Sequence, residues 1–148
     1  MKKPLTAILD LNQIGISMLL GHAEKQSVLG FDFSEKRIQQ LRLKKELLPK
    51  GYDETKRKIV LTHDIKQLQP CKCYCISVPQ KELMPDARQL QLVKRYTALV
   101  GTVLKKGDWV FFASGPNDRF VIDTCMPLLE QVSGMKEQND YKVAFTGI

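Results

Sequence analysis

The sequence predicts an α/β protein built on one doubly wound parallel sheet of about six strands, with helices on both faces. Short apolar runs alternate along the chain with segments whose apolar residues recur at helical spacing. The runs are apolar at nearly every position, as in strands that are buried on both faces. The chain has 148 residues, of which 43% are hydrophobic and 26% charged. This size and composition fit a single domain over 1–148.

In the first half of the chain, three strands and two helices are predicted. The apolar runs that predict the strands are 5–9, 27–33 and 58–62. The helix after the first strand should end by Lys25. Its apolar face consists of Ile14, Met18 and Leu19. The second helix begins after Ser34, a residue type preferred at the N-cap. Its apolar stripe consists of Ile38, Leu41 and Leu48.

The second half of the chain repeats this alternation. A short helical turn is predicted at 64–68, a long helix from Asp86 to Lys105, and a last helix after the fifth strand. The predicted strands are 73–79, 108–114 and 141–146. The apolar positions of the long helix are Leu92, Tyr96, Leu99 and Val103. Those of the last helix are Val121, Cys125, Leu128 and Val132. Pro127 should kink or restart that helix, because proline lacks the amide hydrogen that a helix interior needs.

The turn after the first strand lies where a Rossmann-like fold binds a dinucleotide. The fingerprint of such a site is G-x-G-x-x-G, followed about 20 residues later by an acidic residue that binds a ribose hydroxyl. Here the three glycine positions hold Asp10, Asn12 and Gly15, and the acidic residue is Asp32. The third glycine and the acidic residue are therefore kept, whereas the first two glycines are replaced.

Longer segments extend this pattern. The run "GISMLLGHAEKQSVLGFDFSEKRIQQL" resembles the amino-terminal NAD-binding domain of the UDP-glucose/GDP-mannose dehydrogenases, the nucleotide-sugar dehydrogenase family. Three later segments follow in that family's order: "LTHDIKQLQPCKCYCISVP", "PDARQLQLVKRYTALVGTVLKKGDWVFFAS" and "VIDTCMPLLEQVSG". The resemblance covers nearly the whole chain and implies the dehydrogenase cofactor fold, in a degenerate form.

The resemblance also implies which residues would contact NAD. The backbone amides of Gln13 and Ile14 would face the pyrophosphate, Asp32 and Arg37 the adenosine ribose, and Ser114 the nicotinamide side. The full set of implied cofactor-binding positions is Gln13, Ile14, Gly15, Asp32, Arg37, Val78 and Ser114. The positions that depart from the family pattern are Asp10, Asn12, Gln80, Ala113 and Gly115.

The two replaced glycines predict that NAD binding is weak. Asn12 would place a side chain in the pyrophosphate's space, and Asp10 would add a negative charge beside it. Asn12 would also act as a helix N-cap, so that the chain itself satisfies amides that a phosphate would otherwise bind. We therefore expect no tightly bound cofactor, although weak NAD binding stays open.

We expect no catalytic residue in this chain. The resemblance implies that the family's catalytic cysteine and its helpers lie in the middle and carboxy-terminal domains. The cysteines of this chain, in the predicted strand and the last helix, are Cys71, Cys73, Cys75 and Cys125. Alternate strand positions are about 6–7 Å apart, too far for one tetrahedral zinc, so no metal site is expected. His22 and His63 have no evident catalytic partner.

Positive charge is concentrated in one stretch. The chain carries a net charge of +7, and the window 36–58 holds nine Lys/Arg against three Asp/Glu. Such a window could meet nucleic acid or an anionic surface. Tyr52 is the one aromatic residue among these cations, which argues against base stacking with a single strand. A solvated helix face followed by a charged loop is the simpler interpretation.

No targeting or membrane segment is expected. The first 23 residues resemble a secretory signal, but Asp10, Asn12 and Gln13 interrupt the apolar part. No run reaches the roughly 18 apolar residues that a membrane span needs. We therefore expect a cytoplasmic protein.

Three functions stay open from the sequence. The first is a non-catalytic, degenerate Rossmann domain, a pseudoenzyme that acts through protein contacts with a partner or a second copy. The second is the NAD-binding part of an oxidoreductase, which needs a separate catalytic domain. The third is binding of nucleic acid or an anionic surface through the window 36–58. For the isolated chain, we expect no dehydrogenase activity.

Overall fold

The computed structural model describes residues 4–43, 59–78 and 87–146. The chain falls into two compact units, Met1–Cys71 and Lys72–Ile148. The organisation as one domain over 1–148 stays a prediction. Among the described residues, no helix combines the length and the apolar character that crossing a membrane requires.

The first unit contains three strands and two helices in alternation. Their bounds are β1 (Thr6–Leu9), α1 (Gln13–Ala23), β2 (Val28–Phe31), α2 (Glu35–Leu43) and β3 (Ile59–Thr62). Both β1 and β3 pair in parallel with β2. A short 3₁₀ helix, Ile65–Leu68, follows β3 at the position where the sequence predicts a helical turn.

The second unit continues the alternation. Its bounds are β4 (Cys73–Ser77), α3 (Ala87–Val103), β5 (Trp109–Ala113), α4 (Met126–Ser133) and β6 (Lys142–Phe145). Both β4 and β6 pair in parallel with β5.

The six strands form a parallel sheet in the order β3-β2-β1-β4-β5-β6. This is the strand order of the dinucleotide-binding fold. It confirms the predicted fold class, an α/β Rossmann-like fold on a sheet of six parallel strands.

In the first unit, α1 buries Leu19 as predicted, but its buried face otherwise differs from the predicted one. Its buried residues are Gly15, Leu19 and Ala23, whereas Ile14 and Met18 are half-buried. The reason lies at the start of the helix, where Gly15 approaches the backbone of the preceding turn. Leu19 and Ala23, which lie four and eight residues after Gly15, are therefore on the buried face of the helix.

In the second unit, helix α3 buries Tyr96, Leu99 and Val103 as predicted, and Leu92 is half-buried. Helix α3 packs closely against α4. A Cβ added to Gly101 would lie 2.9 Å from Cβ of Val132, so this glycine lets the two helices approach.

The last helix contains a π-helical segment, Val121–Cys125, where the amide of Met126 donates to the carbonyl of Val121. The predicted interruption near Pro127 thus takes the form of a wider turn. The wider turn adds one residue to the spacing, so Leu129 is fully buried in place of the predicted Leu128. By the same shift, Val132 is 37% exposed rather than turned inward.

Candidate functional site

The turn between β1 and α1 is closed by the side chain of Asn12. Asn12 is the N-cap of α1, and its Oδ1 accepts a hydrogen bond of 2.8 Å from the amide of Gly15. Its carbonyl accepts a second bond, of 2.9 Å, from the amide of Ile16. The predicted cap is therefore formed, and it occupies an amide of the first helical turn, where anions bind in dinucleotide sites.

Asp10 has a backbone conformation that is uncommon for a residue with a side chain. Its φ is 76°, in the left-handed region that glycine adopts most readily and that Asp and Asn tolerate better than other residues. Its amide donates to the carbonyl of Phe31 at 3.0 Å. Its Oδ2 lies 3.3 Å from Nδ2 of Asn12, which donates to it. Asp10 thus holds the conformation for which the fingerprint uses its first glycine.

Gly15 is required by the shape of this turn. A Cβ at Gly15 would overlap with the carbonyl oxygen of Asp10. This is the close helix–strand approach for which the third glycine of the fingerprint is kept. The turn therefore has the backbone geometry of the fingerprint, although two of its three glycines are absent.

Asp32 connects the turn to the start of α2. Its Oδ2 accepts a hydrogen bond of 3.0 Å from the amide of Leu11, and its Oδ1 accepts one of 2.9 Å from the amide of Ser34. The residue is only 8% exposed. Both carboxylate oxygens thus bind backbone amides, although each retains a lone pair for a further donor.

Arg37 lies across the same turn. Its Nε donates to the carbonyl of Leu11 at 3.0 Å. Its amide donates to Oγ of Ser34 at 3.1 Å, which confirms Ser34 as the cap of α2. The structure therefore brings Arg37 to the carbonyl of Leu11 in the turn, and one of its donors is used to hold the turn in place.

The charges at the turn are coupled. Burial raises the pKa of Asp10 from 3.8 to about 6, and the neighbouring carboxylate of Asp32 adds to the rise. A backbone hydrogen bond from Asn12 and the charge of Arg37 act in the opposite direction. At neutral pH, Asp10 is therefore mostly ionised, and it is only 8% exposed.

The remaining implied cofactor positions lie in the second unit. Val78 follows β4 and is buried, whereas Ser114 follows β5 and is half-buried. Their preceding residues, Ser77 and Ala113, are paired in register, so Val78 and Ser114 follow the carboxyl ends of adjacent strands. Gln80 lies outside the described residues.

Sequence reasoning did not single out Ser77. Its Oγ is buried, and no group in the described ranges forms a hydrogen bond with it. In the sequence, Ser77 stands out only because it ends the apolar run of β4. Such a position does not show whether the serine hydroxyl forms a hydrogen bond.

The cysteines form no disulfide. Cys71, Cys75 and Cys125 are buried, whereas Cys73 is half-buried. Burial raises the pKa of the Cys75 thiol to about 12 and that of Cys125 to about 11. Within residues 4–43, 59–78 and 87–146, no three potential ligands are grouped as a metal site would require.

The basic window 36–58 is described only in part. Of its nine cations, the structure describes Lys36, Arg37 and Arg42, and Nη2 of Arg42 donates to the carbonyl of Leu61 at 2.7 Å. The other six, which lie outside the described residues, are Lys44, Lys45, Lys50, Lys56, Arg57 and Lys58. A binding role for this window stays a prediction.

The chain is similar in sequence to curated proteins. No family profile matches the chain. The chain is 27% identical over 143 residues to the UDP-N-acetyl-D-glucosamine 6-dehydrogenase of Salmonella typhi, covering 95% of this chain and 34% of the relative. It is 26% identical over 159 residues to the enzyme of the same name from Pseudomonas aeruginosa, covering 99% of this chain and 35% of the relative.

Solved structures give the same fold. A UDP-D-ManNAc dehydrogenase from Pyrococcus horikoshii matches with a TM-score of 0.75 and 22% identity over 97% of this chain and 36% of its own. A GDP-mannose dehydrogenase from Pseudomonas aeruginosa matches with a TM-score of 0.76 and 20% identity over 97% of this chain and 36% of its own.

The resemblance to the nucleotide-sugar dehydrogenases is therefore confirmed. It extends along nearly the whole chain, and the chain spans about a third of the length of the relatives it matches.

Proposed function

We propose that this chain is a nucleotide-sugar-dehydrogenase-like Rossmann domain that binds NAD weakly or not at all and acts through protein contacts. The observation that carries the proposal is the hydrogen bond of 2.8 Å from the Gly15 amide to Oδ1 of Asn12. In a dinucleotide site, the first helical turn offers its amides to the pyrophosphate. Here the chain's own side chain takes one of them.

The residues of the turn do not fit a pyrophosphate. The second glycine of the fingerprint lets the phosphates approach the backbone, and Asn12 has a side chain at that position. That side chain is fixed at both ends of its amide group, because Oδ1 accepts from Gly15 and Nδ2 donates to Asp10. Binding a pyrophosphate here would require Asn12 to give up both contacts.

The negative charge of Asp10 also opposes the binding of a pyrophosphate at this turn. At a distance of about 6 Å and an effective dielectric constant near 20, two like charges repel by roughly 3 kcal/mol. The favourable interaction of an anion with a helix N-terminus is about 1 kcal/mol. The carboxylate of Asp10 is mostly ionised at neutral pH, so repulsion outweighs the attraction that the helix supplies.

The same turn also supports a second candidate, the NAD-binding part of an oxidoreductase that works with a separate catalytic domain. Asp32 is held by two backbone amides at the end of β2, the position from which this fold binds a ribose. The curated relatives are named as dehydrogenases. In this alternative, Asn12 would swing away from Gly15 when the nucleotide binds.

Calorimetric titration with NAD tests the proposal. We expect no saturable binding by the wild-type protein at micromolar concentrations. The double variant Asp10→Gly plus Asn12→Gly should bind roughly tenfold or more tightly, since 1.4 kcal/mol corresponds to a factor of ten. The variant Asp32→Asn in the same double-glycine background is the matched control, and it should lose the gain.

Micromolar binding by the wild type would contradict the proposal and favour the second candidate. Failure of the double variant to bind would show that the turn alone does not explain weak binding. Far-ultraviolet circular dichroism of each variant establishes that it is folded before the titration is interpreted.

A further inference from the structure

Helix α3 covers one face of the strands β4 and β5. Nζ of Lys105, which follows α3, lies 3.1 Å from the hydroxyl of Tyr74 in β4. Side chains alternate along a strand, so α3 lies on the Tyr74 side. The strand residues on this side, all of them fully buried, are Tyr74, Ile76, Val110 and Phe112.

The opposite side of these strands presents aromatic rings. Cys73, Trp109 and Lys142 are aligned across the sheet, and Phe111 lies two residues after Trp109. The Trp109 face is defined here as Cys73, Trp109, Phe111, Lys142 and Ala144. Trp109 is 37% exposed, Lys142 is exposed, and Cys73, Phe111 and Ala144 are half-buried.

The side chains of the Trp109 face are organised. The rings of Trp109 and Phe111 are stacked, with centroids 5.7 Å apart and planes at 12°. Nζ of Lys142 lies 5.4 Å from the centre of the Trp109 ring. The aromatic pair is thus ordered before any partner arrives, which lowers the entropy cost of binding.

An accessible aromatic pair is unusual on a parallel strand. Parallel sheets normally have both faces covered, most often by helices. Tryptophan is also the residue type most enriched among the energetically dominant positions of protein interfaces. The Trp109 face therefore has the features of a surface that a helix covers.

The charges around the Trp109 face select the partner. Nζ of Lys142, which is exposed, lies over the Trp109 ring. Asp108, which immediately precedes β5, is only 3% exposed and is paired with Lys105 at 2.9 Å. The charge that the structure places against the rings is thus positive.

We propose that the Trp109 face binds an amphipathic helix of a partner protein, with its apolar stripe on Trp109 and Phe111 and carboxylates facing Lys142. This inference rests on the proposed function, since it names the surface through which the protein contacts occur. A second copy of the chain fits less well, because each copy would bring Lys142 and a net positive charge to the same interface.

Fluorescence of Trp109 provides the test, because it is the single tryptophan of the chain. The probe is a synthetic helical peptide of about five turns, with a leucine stripe flanked by glutamates. A matched peptide carries lysines in place of the glutamates. We expect the glutamate peptide to shift Trp109 emission to shorter wavelength with saturation, and to bind about tenfold more tightly than the lysine peptide.

Two variants make the test specific. Lys142→Glu should reverse the preference between the two peptides. Leu43→Ser, at an exposed apolar residue of α2 outside the Trp109 face, should leave both affinities unchanged. Equal binding of the two peptides, or no saturable shift with either, would overturn the proposal.

If Trp109 emission shifts with protein concentration alone, and sedimentation shows a dimer, the proposal of a partner helix is overturned. The Trp109 face would then bind a second copy of the chain. The titration with NAD is independent of these results, so the peptide-binding inference and the proposal of a closed nucleotide site can fail separately.

Discussion

The carbonyl oxygen of Asp10 lies so close to Cα of Gly15 that no β-carbon fits between them. This contact fixes the angle at which α1 leaves β1. It also explains why Gly15 is retained in a turn that has lost its other two glycines.

Gly15→Ala should lower the free energy of unfolding by about 3 kcal/mol, in the range seen when a tightly packed site is overfilled. The matched control is Gly21→Ala in the same helix, where an added Cβ meets no atom within 4 Å. That change should raise stability by about 0.5–1 kcal/mol, because alanine favours helix more than glycine does. Urea unfolding measures both. Similar effects in the two variants would contradict the close contact.

Asn12→Ala should lower stability by about 1 kcal/mol, the usual cost of losing an N-cap. Asn12→Ser should recover most of the loss, because a serine hydroxyl also accepts from the amide of Gly15. Chemical denaturation of the three proteins under one condition provides the comparison. If serine and alanine are equally destabilising, the hydrogen bond of 2.8 Å to Gly15 does not contribute as inferred.

The contribution of Asp10 to stability should fall as the pH rises from about 4 to about 6. The pKa of Asp10 is raised from 3.8 to about 6 in the folded chain. Between these values the folded chain binds more protons than the unfolded chain, so protonation stabilises it. The stabilisation is fully present below pH 4 and is lost through pH 6, with a magnitude of at most about 3 kcal/mol.

Asp10→Asn isolates this effect. Asparagine has nearly the same shape and also tolerates the left-handed backbone of Asp10. Denaturant unfolding of both proteins between pH 4 and 7 should show a difference in stability that increases with pH. A difference that is constant across this range would refute the role of Asp10, because the other titrating groups are common to the two proteins.

Cys73 should react with iodoacetamide before Cys75 and Cys125. Cys73 is half-buried, and the other two are buried with pKa values raised to about 12 and about 11. Since the thiolate is the reactive form, both burial and the raised pKa slow the reaction. Mass spectrometry of peptides from the native protein gives the order, and urea should equalise the rates.

The fold follows from the sequence because alternating strands and helices leave a clear apolar pattern. The role of Asn12 as a cap also follows, since asparagine at the start of a helix is a local signal. The bond from Nε of Arg37 to the carbonyl of Leu11 was not predicted. It joins residues that are distant in the chain, and the sequence does not indicate which carbonyl an arginine side chain will bind.

The buried face of the last helix also could not be predicted fully from the sequence. The prediction placed Leu128 inward by counting regular turns, but Leu129 is buried instead. The proline indicated an interruption without indicating its form. Only the observed segment, in which Met126 bonds to Val121, shows that the interruption lengthens the turn by one residue.

The segment Val121–Cys125 therefore holds one residue more than a regular helix needs. Deleting Asp123, which is exposed, would place Val121, Cys125 and Leu129 three and then four residues apart, the spacing of one face of an ordinary α-helix. Helix α3 holds no such extra residue. A deletion in its middle would therefore rotate every later side chain of the helix by about 100°. The last helix is thus a place where this chain can change its length without changing what it buries.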